Sequence, residues 1–537
     1  MFQRAGGEYA DDANRNPVRG DGCLSEDVRE LLGDLERLAE GGAAEREAAL
    51  GRLRWVSRAA PDEIGALLQG LLDRSPAWDK VQDGFLAAAF RQVLHRGAVA
   101  GTPPLDDTIL KPAAALYRHL GTASAARAYL PCLLTAARTP SALAAFTELM
   151  IADPPADANL VAAIFGPLFQ HRDYDPAALF PTLLDGLKHI SLAAAILDLA
   201  NFVTREGMVA AHPGAGRAEE IGILLAGLVG RLGQIEAEPP AAGRDVEATS
   251  RQVKEGVSLA VSLCDALALI GNPSAVGKLY QALELSHRRL RAEAAAALAK
   301  LGEKTGERVL LELAAEPVTR LRVLAYAEEL GILDQVDSQY RTEQAKAEAD
   351  LALWLAQPAQ MGMPPSRCEL VDFRQQAWPG YDDAVECFLF RFVYAFQEAE
   401  FSNIGIAGPL THAFAADLAD LPPDDIYAAF AGWQAEHEDI YELAVESLND
   451  AQRVEVVRLE RRLRDAGYDA IVPQTLGSFL GDKVLVATVM HQGVSGIAVA
   501  DQSQCTWWPR RGSPRPIDAG VAYCIYKGRK LLRAFNP

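Results

Sequence analysis

Leu269-Ile270-Gly271-Asn272, Lys300-Leu301-Gly302-Glu303 and Glu329-Leu330-Gly331-Ile332 are three similar phrases whose glycines lie 31 and then 29 residues apart. Each closes a run with helical spacing. Before Gly271, the residues Leu259, Leu263, Leu267 and Ile270 fall at i, i+4, i+8 and i+11, one stripe of an α-helix. Gly271 can take the left-handed conformation that ends such a helix, and Pro273 prevents its continuation. A second helix follows with Val276, Leu279 and Leu283 as its stripe, and Arg288-Arg289 marks the next corner. The third, Leu290 to Leu301, carries alanine at 294 through 297, where small side chains let neighbouring helices approach closely. Val309, Leu310 and Leu313, then Leu321, Leu324, Ala327 and Leu330, continue the series. Units of this period bury their apolar faces by stacking on one another, so the expected product is an α-solenoid with an extended surface.

Within this stretch, Ser274-Ala275-Val276-Gly277-Lys278-Leu279 followed by Leu290-Arg291-Ala292-Glu293-Ala294-Ala295 resembles the HEAT-like helical repeats of the phycobilisome-lyase type, over residues 255–333. The resemblance implies stacked helical hairpins. It also brings in one enzymatic possibility, attachment or removal of a bilin, although such repeats serve many unrelated scaffolds and a fold does not by itself carry a function.

Upstream the same architecture is expected with less regular spelling. Tyr129-Leu130-Pro131-Cys132-Leu133-Leu134 and Leu179-Phe180-Pro181-Thr182-Leu183-Leu184 have the same shape 50 residues apart, and both read as helix starts with proline in the first turn. Further helical stretches occupy 24–40, 43–58, 61–73, 81–96, 108–120, 140–151 and 218–233. Roughly fifteen helices are expected over 24–350, given ordinary helix and loop lengths. The stretch from Glu236 to Thr249, with Pro239-Pro240, reads as an exposed loop interrupting the array.

A chain of 537 residues exceeds what one compact core supports, and the expected organisation is a disordered tail at 1–22, a HEAT-like α-solenoid at 23–351 and an α+β domain at 352–537. The first 22 residues lack the apolar run of a secretion signal, and the most hydrophobic stretch, Ile221 to Gly230, is too short to cross a bilayer. Seven scattered cysteines without Cys-x-x-Cys spacing fit buried thiols in a reducing compartment, so a cytoplasmic location without membrane contact is expected. The net charge of −20 is uneven: residues 350–450 carry −15, residues 451–537 carry +6 and residues 1–349 carry −11. An acidic array repels a phosphate backbone, which disfavours nucleic acid as a partner.

Near 352 the period changes. A helix from about Gln335 to Leu355 ends before Pro358, and Met363-Pro364-Pro365 is an extended connection. From Phe388 to Phe396 an aromatic stands at every second position, one face of a strand, with Leu389, Arg391 and Val393 on the other. That face reads as an aromatic core under a helix, with a ligand groove lined by the same aromatics as the alternative. Asn403 to Gly408 is its hairpin partner. Pro422-Pro423-Asp424-Asp425 opens a helix with the stripe Ile426, Phe430, Trp433 and Ile440. Asn449 to Ala466 forms another, with Val456, Leu459 and Leu463 inward and its arginines outward. Lys483 to Met490, Gly496 to Ala500, Cys505 to Trp508 and Val521 to Tyr526 read as strands, which makes the region α+β with a mainly antiparallel sheet.

No catalytic residues, cofactor or metal site are expected. Gly477-Ser478-Phe479-Leu480-Gly481-Asp482-Lys483 lacks the spacing of a phosphate-binding loop. His491, Ser495, Asp501 and Cys505 supply the residue types of a nucleophilic centre without a recognised arrangement. HEAT-repeat di-iron hydroxylases use several His-Glu pairs, whereas this chain has one, His437-Glu438, outside the repeats. The candidate contact surface is the segment containing Trp507, Trp508, Arg510, Arg511 and Arg515, because aromatic and arginine side chains dominate binding hot spots and the adjacent prolines suggest an extended loop; the alternative is that one tryptophan lies in the core and the arginines bind the acidic half of the same domain. The expected function is a non-enzymatic scaffold or adaptor for a protein partner; the alternative is a ligand-binding or enzymatic α+β domain whose solenoid recruits substrate.

Overall fold

The computed structural model describes residues 24–38, 42–74, 78–98, 104–237, 246–396, 399–414, 418–510 and 517–536. By packing, the chain divides into two compact units, 1–282 and 283–537. The expected tail at 1–22 lies outside the described residues.

In the first unit the helices are α1 (Glu26–Arg37), α2 (Ala43–Arg52), α3 (Pro61–Arg74), α4 (Lys80–Leu94), α5 (Leu110–His119), α6 (Tyr129–Ala137), α7 (Pro140–Ala152), α8 (Ala158–Gln170), α9 (Ile190–Arg205), α10 (Ala218–Ala237), α11 (Val246–Ile270) and α12 (Val276–Leu283), the last ending just past the division. The starts are written in side chains. Asp79 and Gln82 form a reciprocal capping box on α4, while Thr139 caps α7 ahead of Pro140. α3 packs on α5, α4 on α6, α6 on α7 and α8, α8 on α9, and α11 on both α9 and α10.

Three local expectations differ from what forms. The Leu179 phrase leads into a 3-10 segment, Thr182–Lys188, after a cis Phe180–Pro181 bond, and not into an α-helix. α8 and α9 fill the stretch on either side of it, with Val161, Ile164, Phe165 and Leu168 as the buried stripe of α8 and Leu192, Ile196, Leu199 and Val203 as that of α9, a helical period that the repeated phrases do not mark. The loop expected over Glu236 to Thr249 is narrower at both ends, because α10 runs to Ala237 and α11 begins at Val246; residues 238–245 lie outside the described residues.

The second unit opens with α13 (Arg288–Lys300), α14 (Lys304–Glu312), α15 (Pro317–Glu329) and α16 (Glu343–Leu355). All three phrase glycines are left-handed, with φ of 72° at Gly271, 87° at Gly302 and 68° at Gly331. At Gly302 the amide bonds to the Ala299 carbonyl and the next amide, Glu303, to that of Leu298; Gly331 and Ile332 repeat this with Glu328 and Ala327. Two orphan carbonyls at each helix end are thereby satisfied. The alanine-rich α13 allows the expected close approach: a Cβ on Gly306 of α14 would stand 2.7 Å from the Ala295 carbonyl oxygen. α16 starts at Glu343, later than periodicity suggested, because Leu333–Gln335 and Ser338–Tyr340 are 3-10 turns and Thr342 supplies the cap.

The helical region gives way to sheet between Leu355 and Arg367, beside the change of period near 352, although α13 to α16 group with the strands in one compact unit. β1 (Arg367–Gln376), β2 (Val385–Phe396), β3 (Ala399–Ala407) and β4 (His412–Ala413) form one antiparallel sheet in chain order. β5 (Ile440–Ala444), β6 (Asp469–Phe479), β7 (Asp482–His491), β8 (Val494–Ala500) and β9 (Cys505–Pro509) form a second. Three helices accompany them: α17 (Pro423–Gln434), α18 (Asp450–Asp465) and α19 (Ala519–Phe535). Two expected assignments are corrected here. Val521 to Tyr526 is helix, capped by Asp518, because Val521, Ala522, Ile525 and Tyr526 make one helical face. Ile440 starts a strand and is not part of the preceding helix, which ends at Gln434.

Alternation sorts each sheet into two faces. On β2, Phe388, Phe390, Phe392 and Tyr394 pack with Leu351 and Leu355 of α16, the aromatic core under a helix, whereas Cys387 and Leu389 join α17 and α19. On β7, Val484 and Val486 face α17 and α19, and Leu485, Ala487 and Val489 face α18. The result is five layers: α16, first sheet, α17 with α19, second sheet, α18. The two halves are built alike, each an outer helix, an antiparallel meander and an inner helix, with β5 added to the second. Tyr427 of α17 donates to the Cys387 carbonyl of the first sheet, and Tyr523 of α19 donates to the Ser478 carbonyl of the second.

Candidate binding surfaces

β9 brings the two candidate tryptophans to the second sheet, where Ala498 faces Trp507 and Ile497 faces Trp508. The pleat sends them to opposite faces. Trp508 goes inward and is only 5% exposed. Its indole N–H donates to Oδ2 of Asp425 at 3.0 Å, and the Arg529 guanidinium lies 5.3 Å from its ring centroid while donating through Nε to Oδ1 of Asp425 at 2.7 Å. Trp508 is therefore a core residue and not a surface contact, a correction that follows from strand parity. Trp507 goes to the α18 side and is half-buried, with the rings of His491 and Tyr468 at 5.2 and 6.5 Å. Arg510 is exposed, its amide donating to the Ser495 carbonyl at 2.7 Å. Arg511 and Arg515 lie outside the described residues, so Arg510 is what the described structure places at the surface.

The residues with nucleophilic-centre chemistry are not brought together. His491 ends β7 and pairs with Val494, whereas Asp501 follows the far end of β8, where Ala500 pairs with Leu485. Six strand residues separate the two levels, about 20 Å at ~3.3 Å each. Asp501 is buried and held by the Tyr526 hydroxyl at 2.7 Å, Lys530 Nζ at 3.0 Å and the Gln504 amide at 2.7 Å. Burial by itself would raise its pKa, but hydrogen bonds from Tyr526, Lys530 and Ser503 outweigh that and hold the carboxyl well below the usual range. Cys505, by contrast, is pushed up by burial, the opposite of an activated thiol. No group of three or more His, Cys, Asp or Glu among the described residues is placed to hold a metal ion.

α18 presents a surface of which the sequence marked the outward arginines but not the valines. Asn449 and Gln452 form a capping box at its start, and Val456, Leu459 and Leu463 face the second sheet. On the solvent side stand Val454 and Val457 with Arg458 and Arg461. The hint was in the pattern, because two valines outside the inward stripe have no core to fill. Among the described residues no helix is long and apolar enough to cross a membrane. No protein-family model, curated protein or solved structure matches the chain.

Proposed function

We propose that the chain is a cytoplasmic, non-enzymatic scaffold that binds a protein partner through HEAT-like solenoid surfaces, with the α+β region adding a second contact. The observation that carries this reading is the order of helix packing. In the first unit the main packings join helices one or two places apart in the chain, and in the second α13 packs on α14 and α15, and α15 on α16. Such near-neighbour stacking spreads a chain into extended surface, the property a scaffold uses. Left-handed glycines closing α11, α13 and α15 support a repeated hairpin unit. In the α+β region, two buried carboxylates that could do chemistry, Asp425 and Asp501, are engaged by side chains of α19 and neighbouring loops, which supports a structural role for them. The described cysteines are free thiols, in keeping with a reducing compartment.

The test is affinity capture of the full-length chain from native lysate with cross-linking and mass spectrometry. A stoichiometric protein cross-linked to helices between residues 24 and 355 supports the scaffold. Recovery of a tightly held small molecule with no protein overturns it.

A further inference from the structure

The two halves of the sandwich provide a comparison within one chain. α16 covers its sheet with Ala347, Leu351 and Leu355. A second flank of the same helix, Ala345, Ala349 and Ala352, is buried as well. α15 packs on α16, and its Arg320 donates to the Ala345 carbonyl at 2.8 Å and to Glu348 at 2.6 Å. Ala349 and Ala352 follow Ala345 at i+4 and i+7, so they share that flank. α18, the corresponding outer helix of the other half, covers its sheet through Val456, Leu459 and Leu463. Its neighbouring flank is bare, with Val454 65% and Val457 57% exposed. Valine is a poor helix former, so two of them on a solvent face gain nothing from the helix itself.

We propose that this flank of α18 docks a helix from a partner protein, in the manner in which α15 docks on α16, and that the incoming helix carries an apolar seam bordered by Glu or Asp. The sign comes from the same comparison. In the α15–α16 pair the arriving helix supplies the arginine and the receiving helix the carboxylate. On α18 the receiving flank supplies Arg458 and Arg461 beside the valines, with exposed Asp450 and Asp465 only at its two ends. Arg458 is 3.5 Å from Glu455, and Arg461 has no carboxylate within ion-pair distance among the described residues. An acidic helix would complete Arg461 while covering Val454 and Val457, the helix-on-helix mode of recognition. This rests on the scaffold reading, because the occupant is a partner protein.

The experiment uses the full-length chain and a labelled synthetic helical peptide with an alanine-leucine seam bordered by glutamates, beside the same peptide with lysines in their place. Fluorescence anisotropy is expected to show saturable binding of the acidic peptide alone, weakened roughly tenfold or more by Val457→Asp. The double variant Arg458→Glu and Arg461→Glu is expected to exchange the preference and bind the lysine peptide. Circular dichroism confirms that each variant is folded, and the charge exchange tests the surface even if Val457→Asp unfolds. Absence of acidic-peptide binding, or equal binding by the folded Val457→Asp chain, overturns the proposal. So does a dimer in light scattering that Val457→Asp dissolves, which would assign the flank to a second copy. If a protein is captured on the helices before residue 356 but acidic-peptide binding fails, the α18 inference alone falls; if the peptide binds and no protein is captured, the scaffold reading falls.

Discussion

Gly432 of α17 lies against the main chain of Cys524 in α19, and a Cβ at 432 would overlap the Cys524 carbonyl oxygen. The relationship is reciprocal, because a Cβ on Gly528 of α19 would overlap the carbonyl oxygen of Ala428 in α17. Ala428 and Gly432 are four residues apart, as are Cys524 and Gly528, so the two helices cross through matched small faces. The inner layer of the five-layer sandwich depends on this approach.

Gly432→Ala and Gly528→Ala are each expected to destabilise the second unit by ~3 kcal/mol, the upper part of the usual overpacking range, because the obstructing atoms are backbone and cannot turn aside. Gly84→Ala in α4 is the control: nothing lies within 4 Å of its Cβ position, and alanine there should be neutral or stabilising. Denaturant unfolding of the full chain measures both.

Asp425 is 4% exposed and serves Trp508 and Arg529 together. Asp425→Ala leaves a buried indole N–H and a half-buried guanidinium without their acceptor. A loss of about 2 kcal/mol is expected, below the full cost of breaking a buried pair because Arg529 is partly solvated. The tryptophan fluorescence maximum, read with the unfolding curve, should move with the environment of Trp508.

His212 in the first unit is buried, its Nε2 2.9 Å from Oδ1 of Asn201 and its Nδ1 accepting the Gly214 amide at 3.0 Å. Burial lowers its pKa to about 4. A depressed histidine stays neutral when folded and becomes charged when unfolded, so stability is whole above about pH 6.5 and falls as pH drops from there toward about 4. The loss reaches at most about 3 kcal/mol. Thermal melts across that interval should show a steeper decline for the parent chain than for His212→Gln.

Asp501 acts at the acidic end. Its folded pKa is depressed, so its contribution is present above the unfolded value of about 3.9 and disappears as pH falls below it. Asp501→Asn is expected to lower stability at neutral pH and flatten the acid limb of the stability curve. Equal pH profiles for the two chains would count against the role assigned to Tyr526 and Lys530.

Arg510 is exposed just past the end of β9. Replacing Arg510 with alanine is expected to reduce partner capture while leaving the melting temperature within about a degree, since an exposed substitution away from core features changes stability little. Unchanged capture would remove this segment from the contact surface.

Much of the element order was legible. α1, α2 and α5 fall within the stretches marked by helical spacing, α3, α4, α7 and α10 overrun theirs by one to four residues, and the aromatic alternation from Phe388 marked the strand and a helix-covered aromatic face without saying which helix covers it. The α19 region was not legible. Val521-Ala522-Tyr523-Cys524-Ile525-Tyr526 is apolar and aromatic throughout, and such a short run fits a strand as well as a helix. In the candidate contact segment the exposure of Arg510 and the burial of Trp508 were not legible separately, because strand parity turns Trp508 inward and the parity depends on the register of β9.

By itself the sequence determined where α11, α13 and α15 stop and where the aromatic strand β2 lies, because a left-handed glycine and a period of two act within a few residues of where they are written. Gly271, Gly302 and Gly331 needed no partner to end their helices. Only the tertiary structure decided that α17 and α19 lie between two sheets, that Trp508 and Asp425 meet across 83 positions, and that Val454 and Val457 face solvent. Those outcomes depend on which faces meet, and a face is committed only when distant segments compete for the same core.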